Sequence, residues 1–417
     1  MKHVLLLCGL LLLAAVLPVR AQAPPDIVVI SLDDANRFPY HPVILTPALR
    51  GFFDANQRLR NYRSCGPLCA PSRTSLLIGR YPLHVGVRNN DPALPLAETT
   101  LAEALRAAGY ATACVGKWDH GNANPTSPGP GAHGFDFSLT LRQQDGGQHY
   151  PSGVYRNGAW ESVPAGTYTT TLLTAEALAW WQAAPGPRFL WLAYNVPHGT
   201  VQAPPGGISP YQVYGSTNGA YAAALTYLDA RIGELLTAVG PTPVVVILSD
   251  HGAYTINGPG KFWGMNVDQG PPLVVQRGGM NDLYEGGIRV PFAARGLGIA
   301  PENLLAPALG IDLLPSLLSA AGVDLPAGVD GVNLRSPGST TGRYACWERP
   351  AYPGAYVEQD AVLSPDGVWK AHRLGTAPWV LYHLPTNPQE SINVAGTYPA
   401  QLNDLVARWD AWRATGP

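Results

Sequence analysis

Short, continuous apolar runs alternate along the chain with longer stretches whose apolar residues recur at helical spacing. The short runs predict buried β-strands at Ile27–Leu32, Ala111–Val115, Phe189–Tyr194 and Val244–Leu248. The longer stretches predict helices at Thr99–Ala108, Thr170–Ala183, Ala220–Val239 and Ile311–Ala321. Strands that are apolar throughout and alternate with helices are typical of parallel sheets buried on both faces. The pattern therefore predicts an α/β fold with a mostly parallel central sheet flanked by helices.

The pattern changes near the end of the chain. Arg335–Arg343 reads RSPGSTTGR, a composition typical of a linker, and aromatic-rich, strand-like pieces follow it. A last helix is predicted at Ala400–Ala414. We therefore predict a main domain at residues 24–335 and a small C-terminal α+β subdomain at residues 344–417. The stretch Gly121–Gly166 is rich in Gly and Pro, has little periodicity, and is predicted to form surface loops.

The first 23 residues have the features of a secretory signal peptide. Lys2 precedes an apolar run at Val4–Leu17, and Ala21-Gln22-Ala23 supplies small residues for cleavage. The run is short for a transmembrane helix, and an uncleaved membrane anchor is the alternative interpretation. We expect the mature protein to be exported, to the periplasm or the extracellular space, without a transmembrane anchor.

Composition excludes one class of partner. Only 13% of the 417 residues are charged, the formal net charge is -2, and Lys and Arg do not cluster. Proteins that bind nucleic acid phosphates need such clusters, so we exclude a nucleic acid partner.

The cysteines leave two alternatives open. Cys8 lies in the predicted signal peptide, and the remaining four are Cys65, Cys69, Cys114 and Cys346. In an oxidising compartment these four could form two disulfides. If Cys69 is chemically modified, at least one of the other three thiols stays unpaired.

Ionisable residues follow four of the predicted strands directly. They are Asp33 and Asp34 after the first, Lys117 to His120 after the second, His198 after the third, and Asp250 and His251 after the fourth. A polar residue after a strand is often only the cap of the next helix. In open α/β sheets, however, ligands bind at the carboxyl ends of the strands. Four such strands predict one shared site.

The acidic residues of this set indicate a metal ion. Asp33, Asp34 and Asp250 would bring three negative charges to one point, which needs a compensating cation. Oxygen-rich sites prefer hard cations, Ca²⁺ or Mg²⁺.

The most specific motif is Cys69-Ala70-Pro71-Ser72-Arg73. Pro71 suits the first turn of a helix, where its missing N–H would be unpaired anyway. A nucleophile at a helix N-terminus lies among free N–H groups that favour an anion, and Arg73 lies one turn further on the same face.

This motif resembles the signature of the formylglycine-dependent sulfatases, in the alkaline-phosphatase superfamily. The resemblance covers about residues 25–395, and further segments of the family pattern occur in the family's order: Asp33-Asp34, Gly116-Lys117-Trp118, Pro197-His198, Ser249 to Gly252, and Tyr284 to Gly287.

The resemblance implies a fold and a chemistry. It implies an alkaline-phosphatase-like fold in which a maturation enzyme oxidises Cys69 to formylglycine, whose hydrate attacks the sulfur of a sulfate ester. It implies one Ca²⁺ ion, favoured over Mg²⁺, with ligands at Asp33, Asp34, Asp250 and His251. It implies catalytic roles for Cys69, Arg73, Lys117, His120 and His198. The expected substrate is a sulfated small molecule or glycan.

Two positions depart from the family pattern. Asp119 stands where the family usually has His, and His120 follows one residue later. Met280 stands where the family has a Lys that binds the sulfate, so one positive charge is missing. We consider Asp119, Lys261 and Arg277 as further candidates for substrate binding.

Two other functions stay open on these grounds. The same fold could hydrolyse phosphate or phosphonate esters, although a doubly charged phosphate would need more positive charge than Met280 leaves. The chain could also be a degenerate, non-catalytic binder of sulfated glycans. The intact Cys69–Arg73 motif and the three carboxylates favour the sulfatase.

Overall fold

The computed structural model describes residues 23–35, 39–120, 128–141, 148–253, 266–267, 275–352 and 356–416. Nearly all of the predicted signal peptide and the candidate Lys261 lie outside these residues. Within them, no helix is both long enough and apolar enough to cross a membrane.

The strands are numbered along the chain. They are β1 (Ile27–Leu32), β2 (Gln57–Arg58), β3 (Tyr62–Arg63), β4 (Ala111–Gly116), β5 (Phe137–Leu141), β6 (Gly153–Arg156), β7 (Ala159–Ser162), β8 (Arg188–Tyr194), β9 (Val244–Ser249), β10 (Asn266–Val267), β11 (Val275–Gln276), β12 (Phe292–Arg295), β13 (Ala308–Leu309), β14 (Ala345–Arg349), β15 (Gln359–Leu363), β16 (Trp369–Leu374) and β17 (Val380–His383).

The helices are numbered in the same way. They are α1 (Pro47–Ala55), α2 (Cys69–Ile78), α3 (Pro82–Val85), α4 (Leu101–Ala107), α5 (Thr169–Ala183), α6 (Gly215–Val239), α7 (Glu285–Ile288), α8 (Leu313–Ala321) and α9 (Pro399–Arg413).

The main sheet has a parallel centre and antiparallel margins. Its strand order is β2-β12-β9-β1-β8-β4-β5-β6-β7, and the neighbours from β9 to β5 all run parallel. At the margins β12 pairs antiparallel with β9 and β2, and β6 and β7 form an antiparallel pair on the outer side of β5. The predicted parallel α/β sheet is therefore confirmed for the part of the sheet that carries the polar strand ends.

The central strands of this sheet are buried on both faces, and alternate side chains of the same strand enter different cores. Val28 and Ile30 of β1 join a core that contains side chains of α1, α5 and α6. Ile27 and Val29 join the opposite core with side chains of α2, α4 and α8. This two-sided burial explains why the central strands are apolar at most positions on both faces.

The stretch Gly121–Gly166 differs from its prediction as surface loops. The described part of it contains β5, β6 and β7, which extend the main sheet. These strands are short, and β7 is exposed along its length, so they lack the continuous apolar run that marks the central strands.

The C-terminal residues form a second, four-stranded antiparallel sheet in the order β14-β15-β16-β17. One face packs against α9 through side chains such as Val362, Leu405 and Trp409. The other face carries Trp347 into a core shared with Leu283 and Ile288 of the main part of the chain. The predicted linker also contacts the main part of the chain, because its last residue, Arg343, forms an ion pair with Asp312 at 2.5 Å.

A buried charge network joins the C-terminal sheet to β3 and α7. Glu285 pairs with Arg63, at 2.6 Å, and with Lys370 of β16, at 3.0 Å. Lys370 also lies 2.9 Å from Glu390, whose other oxygen accepts the backbone N–H of Glu285. Burial raises the pKa of Glu285, but Arg63 and Lys370 outweigh it and hold that pKa below its ordinary value. Burial raises the pKa of Glu390 to about 6.

The network predicts a large cost for removing its shared cation. In Lys370→Met the carboxylate of Glu390 loses the ammonium beside it, and we expect the free energy of unfolding to fall by about 3–5 kcal/mol in urea titrations at pH 7. Arg50→Met is the matched control, because Arg50 is an exposed side chain 3.9 Å from Asp54, and it should change the value by less than about 0.5 kcal/mol. Equal losses in both variants would contradict the role of the network.

Candidate active site

The predicted polar strand ends meet at one edge of the main sheet because the central strands are aligned in register. Leu32, the last residue of β1, pairs with Tyr194 of β8 on one side and with Ser249 of β9 on the other. Gly116, the last residue of β4, pairs with Ala193. The residues that follow these strands therefore lie at the same level, next to the first turn of α2.

Cys69 is the first residue of α2 and is buried, with 2% of its surface exposed. Its Sγ lies 3.2 Å from Lys117 Nζ, 3.1 Å from His251 Nε2 and 3.8 Å from Asp33 Oδ1. Three strand ends thus contribute a side chain to the surroundings of one thiol. Burial raises the pKa of this thiol well above its ordinary value.

Arg73 lies one turn further along α2 and ties the helix to the strand ends. Its Nε donates to Asp250 Oδ2 at 3.1 Å, and its Nη2 lies 3.7 Å from Asp33 Oδ1. Its Nη1 donates to the backbone carbonyl of Lys117 at 3.0 Å. The guanidinium therefore fixes β1, β4 and β9 relative to the Cys69 turn.

The start of α2 has an additional partner. Leu68, the residue before the helix, provides no side-chain cap, and Asn90 Oδ1 instead accepts the Ala70 N–H at 3.0 Å. Nothing in the sequence around Asn90 distinguishes it from an ordinary loop asparagine. Only the packing of its loop against α2 reveals the contact.

The three carboxyl groups of the site have different pKa values. Burial raises the pKa of Asp33, but Lys117, His198 and Arg73 outweigh it and hold that pKa below its ordinary value. Burial raises the pKa of Asp34 to about 8, with Asp33 and Asp250 adding to the shift and His251 opposing it. Burial also raises the pKa of Asp250. The protein side chains alone do not neutralise all three carboxylates.

This arrangement fits a divalent cation. Among the described residues, no donor hydrogen-bonds either carboxylate oxygen of Asp34, although His251 Nδ1 lies 3.2 Å from Oδ1. One ligand atom from each of Asp33, Cys69, Asp250 and His251 lies within 4.8 Å of the others. Asp33 and Asp250 offer carboxylate oxygens, the donors that hard cations prefer, and Asp34, which is not one of these four residues, adds a carboxylate 3.2 Å from His251. Asp33, Asp34, Asp250 and His251 are the residues that could hold such an ion.

Two further predicted residues face the same region. Lys117 Nζ lies 2.7 Å from Asp33 Oδ2 and 3.4 Å from Asp119 Oδ2. His198 Nδ1 lies 2.9 Å from the Gly199 carbonyl, to which it can only donate, and its Nε2 faces Asp34 at 4.0 Å. Lys117 and burial lower the pKa of His198 to about 4.

His149 contacts the backbone of His198. It is fully buried, and its Nε2 lies 3.2 Å from the backbone carbonyl of His198. Its Nδ1 lies 3.3 Å from the N–H of Gln202. The sequence motif around His198 contains no signal for His149, because 49 residues separate the two.

His120 and Arg277, the two other candidates among the described residues, have different neighbours from those of Cys69. His120 Nδ1 lies 3.2 Å from Thr74 Oγ1 and its ring packs against Trp118, while burial lowers its pKa to about 3. The Arg277 guanidinium lies over the Tyr284 ring at 3.9 Å and donates to the Glu390 carbonyl.

Met280 belongs to a segment that runs beside the site. Its N–H donates to Ala253 at 2.9 Å, and the Gly252 N–H donates to Gly287 at 2.8 Å. The approach is so close that a Cβ on Gly252 would lie 1.9 Å from the Gly286 oxygen. The Tyr284–Gly287 motif is thus held against His251 by backbone contacts.

Comparison with known proteins identifies a family for this chain and solved structures with the same fold. A family model described as Sulfatase matches residues 25–323. Arylsulfatase A of Homo sapiens is 29% identical over 98% of this chain and 92% of its own length. N-acetylgalactosamine-6-sulfatase of Sus scrofa is 29% identical over 84% of this chain and 72% of its own length. The crystal structure of Ps i-CgsB in complex with k-i-k-neocarrahexaose has a TM-score of 0.79, with 22% identity and coverage of 94% of both chains.

Cation binding should be measurable as stability. Protein freed of metal with a chelator should gain about 2.7 kcal/mol of unfolding free energy when the cation is added at 100 times its dissociation constant. Asp34→Asn should lose most of this gain, because it removes the carboxylate charge that the cation neutralises. Asp229→Asn serves as the control, since Asp229 is a buried carboxylate that accepts the N–H groups of Ala48 and Leu49 at the start of α1. A gain in Asp34→Asn as large as in the wild type would contradict this cation site.

Proposed function

The chain belongs to the sulfatase family of the alkaline-phosphatase superfamily and is a sulfuric ester hydrolase, and from this premise we propose that it hydrolyses sulfate monoesters of a carbohydrate with a nucleophile made from Cys69 beside a Ca²⁺ ion. The observation that carries the proposal is the position of Cys69 Sγ, within 3.2 Å of Lys117 Nζ and of His251 Nε2. A side chain at position 69 is therefore surrounded by the groups that a reacting sulfate ester needs.

The nucleophile depends on a covalent change that a maturation enzyme has to make. Formylglycine, once formed at position 69, supplies a hydrated aldehyde whose hydroxyl attacks sulfur. Lys117 is at hydrogen-bond distance to orient that hydroxyl, and Arg73 holds the first turn of α2 against Asp250. Cys69 is the first residue of α2, and the positive end of the helix dipole at this terminus favours the sulfate anion.

The proposed ligands of the cation are Asp33, Asp34, Asp250 and His251. Mg²⁺ normally keeps several water ligands, whereas Ca²⁺ accepts many oxygen ligands from the protein, and this favours Ca²⁺. A bound Ca²⁺ polarises the oxygens of the sulfate group. The raised pKa of Asp34 supports the proposal, because a cation would return that carboxyl to its ionised form.

His198 is the proposed acid for the leaving alcohol. Its Nδ1–H is engaged by the Gly199 carbonyl, so the proton for the ester oxygen would come from Nε2. The negative charge of a bound sulfate ester favours the protonated imidazole and opposes the effect of Lys117. Arg73, Lys117 and His198 form the proposed catalytic set together with Cys69. His120, which was also a catalytic candidate, contacts Thr74 and would act on the site only through that residue.

The carbohydrate substrate, the export and the domain division are further parts of the proposal. N-acetylgalactosamine-6-sulfatase is named for a sulfated sugar, and Ps i-CgsB was solved with a neocarrahexaose. The signal-peptide pattern of the first 23 residues supports export. We place the catalytic domain at residues 24–335 and the small subdomain at 344–417.

A phosphate or phosphonate ester hydrolase is the alternative within the same superfamily. Met280 contributes no positive charge beside Ala253, and this lack disfavours a doubly charged substrate. A non-catalytic binder of sulfated glycans is the second alternative. The burial of Cys69 among Lys117, His251 and Asp33 is the observation against it, because simple binding does not require a shielded thiol.

Mass spectrometry and turnover test the proposed function together. Protein coexpressed with a formylglycine-generating enzyme should yield a peptide containing position 69 that is about 18 Da lighter than the cysteine form. This protein should hydrolyse 4-nitrophenyl sulfate or a sulfated sugar, and Cys69→Ala should lose at least about 10³-fold in kcat because the nucleophile is absent.

Cys114→Ala is the matched control, since Cys114 is also a buried free thiol but lies within β4. It should retain most of the activity. Equal turnover by Cys69→Ala and the wild type would reject the mechanism.

A further inference from the structure

Asp119 puts a fourth carboxylate beside the nucleophile. It follows β4 by three residues, is 8% exposed, and has a backbone φ of 59°. Its Oδ2 lies 3.4 Å from Lys117 Nζ, the same nitrogen that lies 3.2 Å from Cys69 Sγ. A non-glycine residue in the left-handed region is uncommon and is held there by its surroundings. The carboxylate is therefore kept at the cationic side of the pocket.

Asp119 carries a negative charge that interacts with the cationic groups around position 69. Burial raises its own pKa, but Lys117 and Arg73 outweigh burial and keep the pKa below its ordinary value, so the group is ionised near neutral pH. The distance of 3.4 Å between Asp119 Oδ2 and Lys117 Nζ places this negative charge next to the groups that would hold a sulfate ester.

The charges in the pocket determine how many negative charges a bound substrate can carry. Lys117 is shared between Asp33 and Asp119, so its charge is largely compensated before any substrate arrives. Asp250 similarly compensates Arg73, at 3.0 Å. With the proposed divalent cation bound, the four carboxylates of the pocket balance the cation, Lys117 and Arg73, so a second negative charge on the substrate would meet no net positive charge. Two like charges about 5 Å apart in a site of effective dielectric constant about 20 change a binding constant by at least about tenfold.

We infer that Asp119 is a specificity-determining residue that admits singly charged sulfate monoesters and disfavours doubly charged anions, namely phosphate monoesters and the inorganic sulfate product. This inference rests on the proposed function and deepens it by stating the charge of the substrate class. Asp119 should also promote release of the product, because hydrolysis converts the monoanionic ester into the sulfate dianion in the same pocket.

Turnover of two esters of the same shape tests the inference. Wild type and Asp119→Asn, both with formylglycine verified by mass spectrometry, are assayed with 4-nitrophenyl sulfate and 4-nitrophenyl phosphate at pH 8. In Asp119→Asn, the ratio of kcat/KM for sulfate to kcat/KM for phosphate should fall at least about tenfold. Asp229→Asn, the buried carboxylate at the start of α1, should leave the ratio unchanged. An unchanged ratio in Asp119→Asn would overturn the inference, since a purely structural role affects both esters alike.

Binding of the sulfate dianion provides a readout that does not need turnover. Isothermal titration calorimetry with sodium sulfate at constant ionic strength should give a dissociation constant about tenfold lower for Asp119→Asn than for the wild type. Equal constants would overturn the inference even in an inactive protein. A matured wild type that hydrolyses no sulfate ester would instead remove the proposed function, while the binding comparison would still decide the role of Asp119.

Discussion

Three carboxylates buried at the ends of two adjacent strands repel one another, and the rest of the site is arranged around their neutralisation. Asp33 forms ion pairs with Lys117 and Arg73, and Asp250 forms an ion pair with the same Arg73 of α2. Asp34 receives neither, and its pKa rises to about 8. Because Arg73 must reach both strands, the helix that carries it has to begin at the sheet edge. This requirement also buries Cys69 at that edge.

The backbone at this edge leaves little freedom to move the site. A Cβ on Gly116 would lie 2.0 Å from the Ala193 oxygen, so β4 and β8 approach more closely than any other residue would permit there. Asp34 and Asp119 both have a φ of 59°, a region that costs a non-glycine residue about 1–3 kcal/mol. Strain of this kind persists only where the surrounding contacts fix the chain. The neighbouring ion pairs supply those contacts.

Local pattern predicted the central part of the fold and the strand ends at which the candidate site lies. The strand at Ile27–Leu32 has the predicted limits, and the other three central strands agree within one residue at each end, because strands buried on both faces are continuously apolar. The hairpin β6–β7 was missed, since its exposed residues carry no such run. Asn90 and His149 were missed for a different reason. Their contacts with Ala70 and His198 arise from packing of distant segments, which no spacing in the sequence encodes.

The network around Glu285 has a consequence for the order in which the protein can mature. Glu285 opens the short helix α7, whose Gly287 carbonyl accepts the N–H of Gly252 beside the site, yet one of its cations, Lys370, belongs to the C-terminal sheet. During synthesis, the segment that flanks the nucleophile therefore lacks part of its electrostatic support until the last strands have been translated. Because position 69 is buried in the finished fold, an enzyme that modifies it would need the chain before the fold has closed.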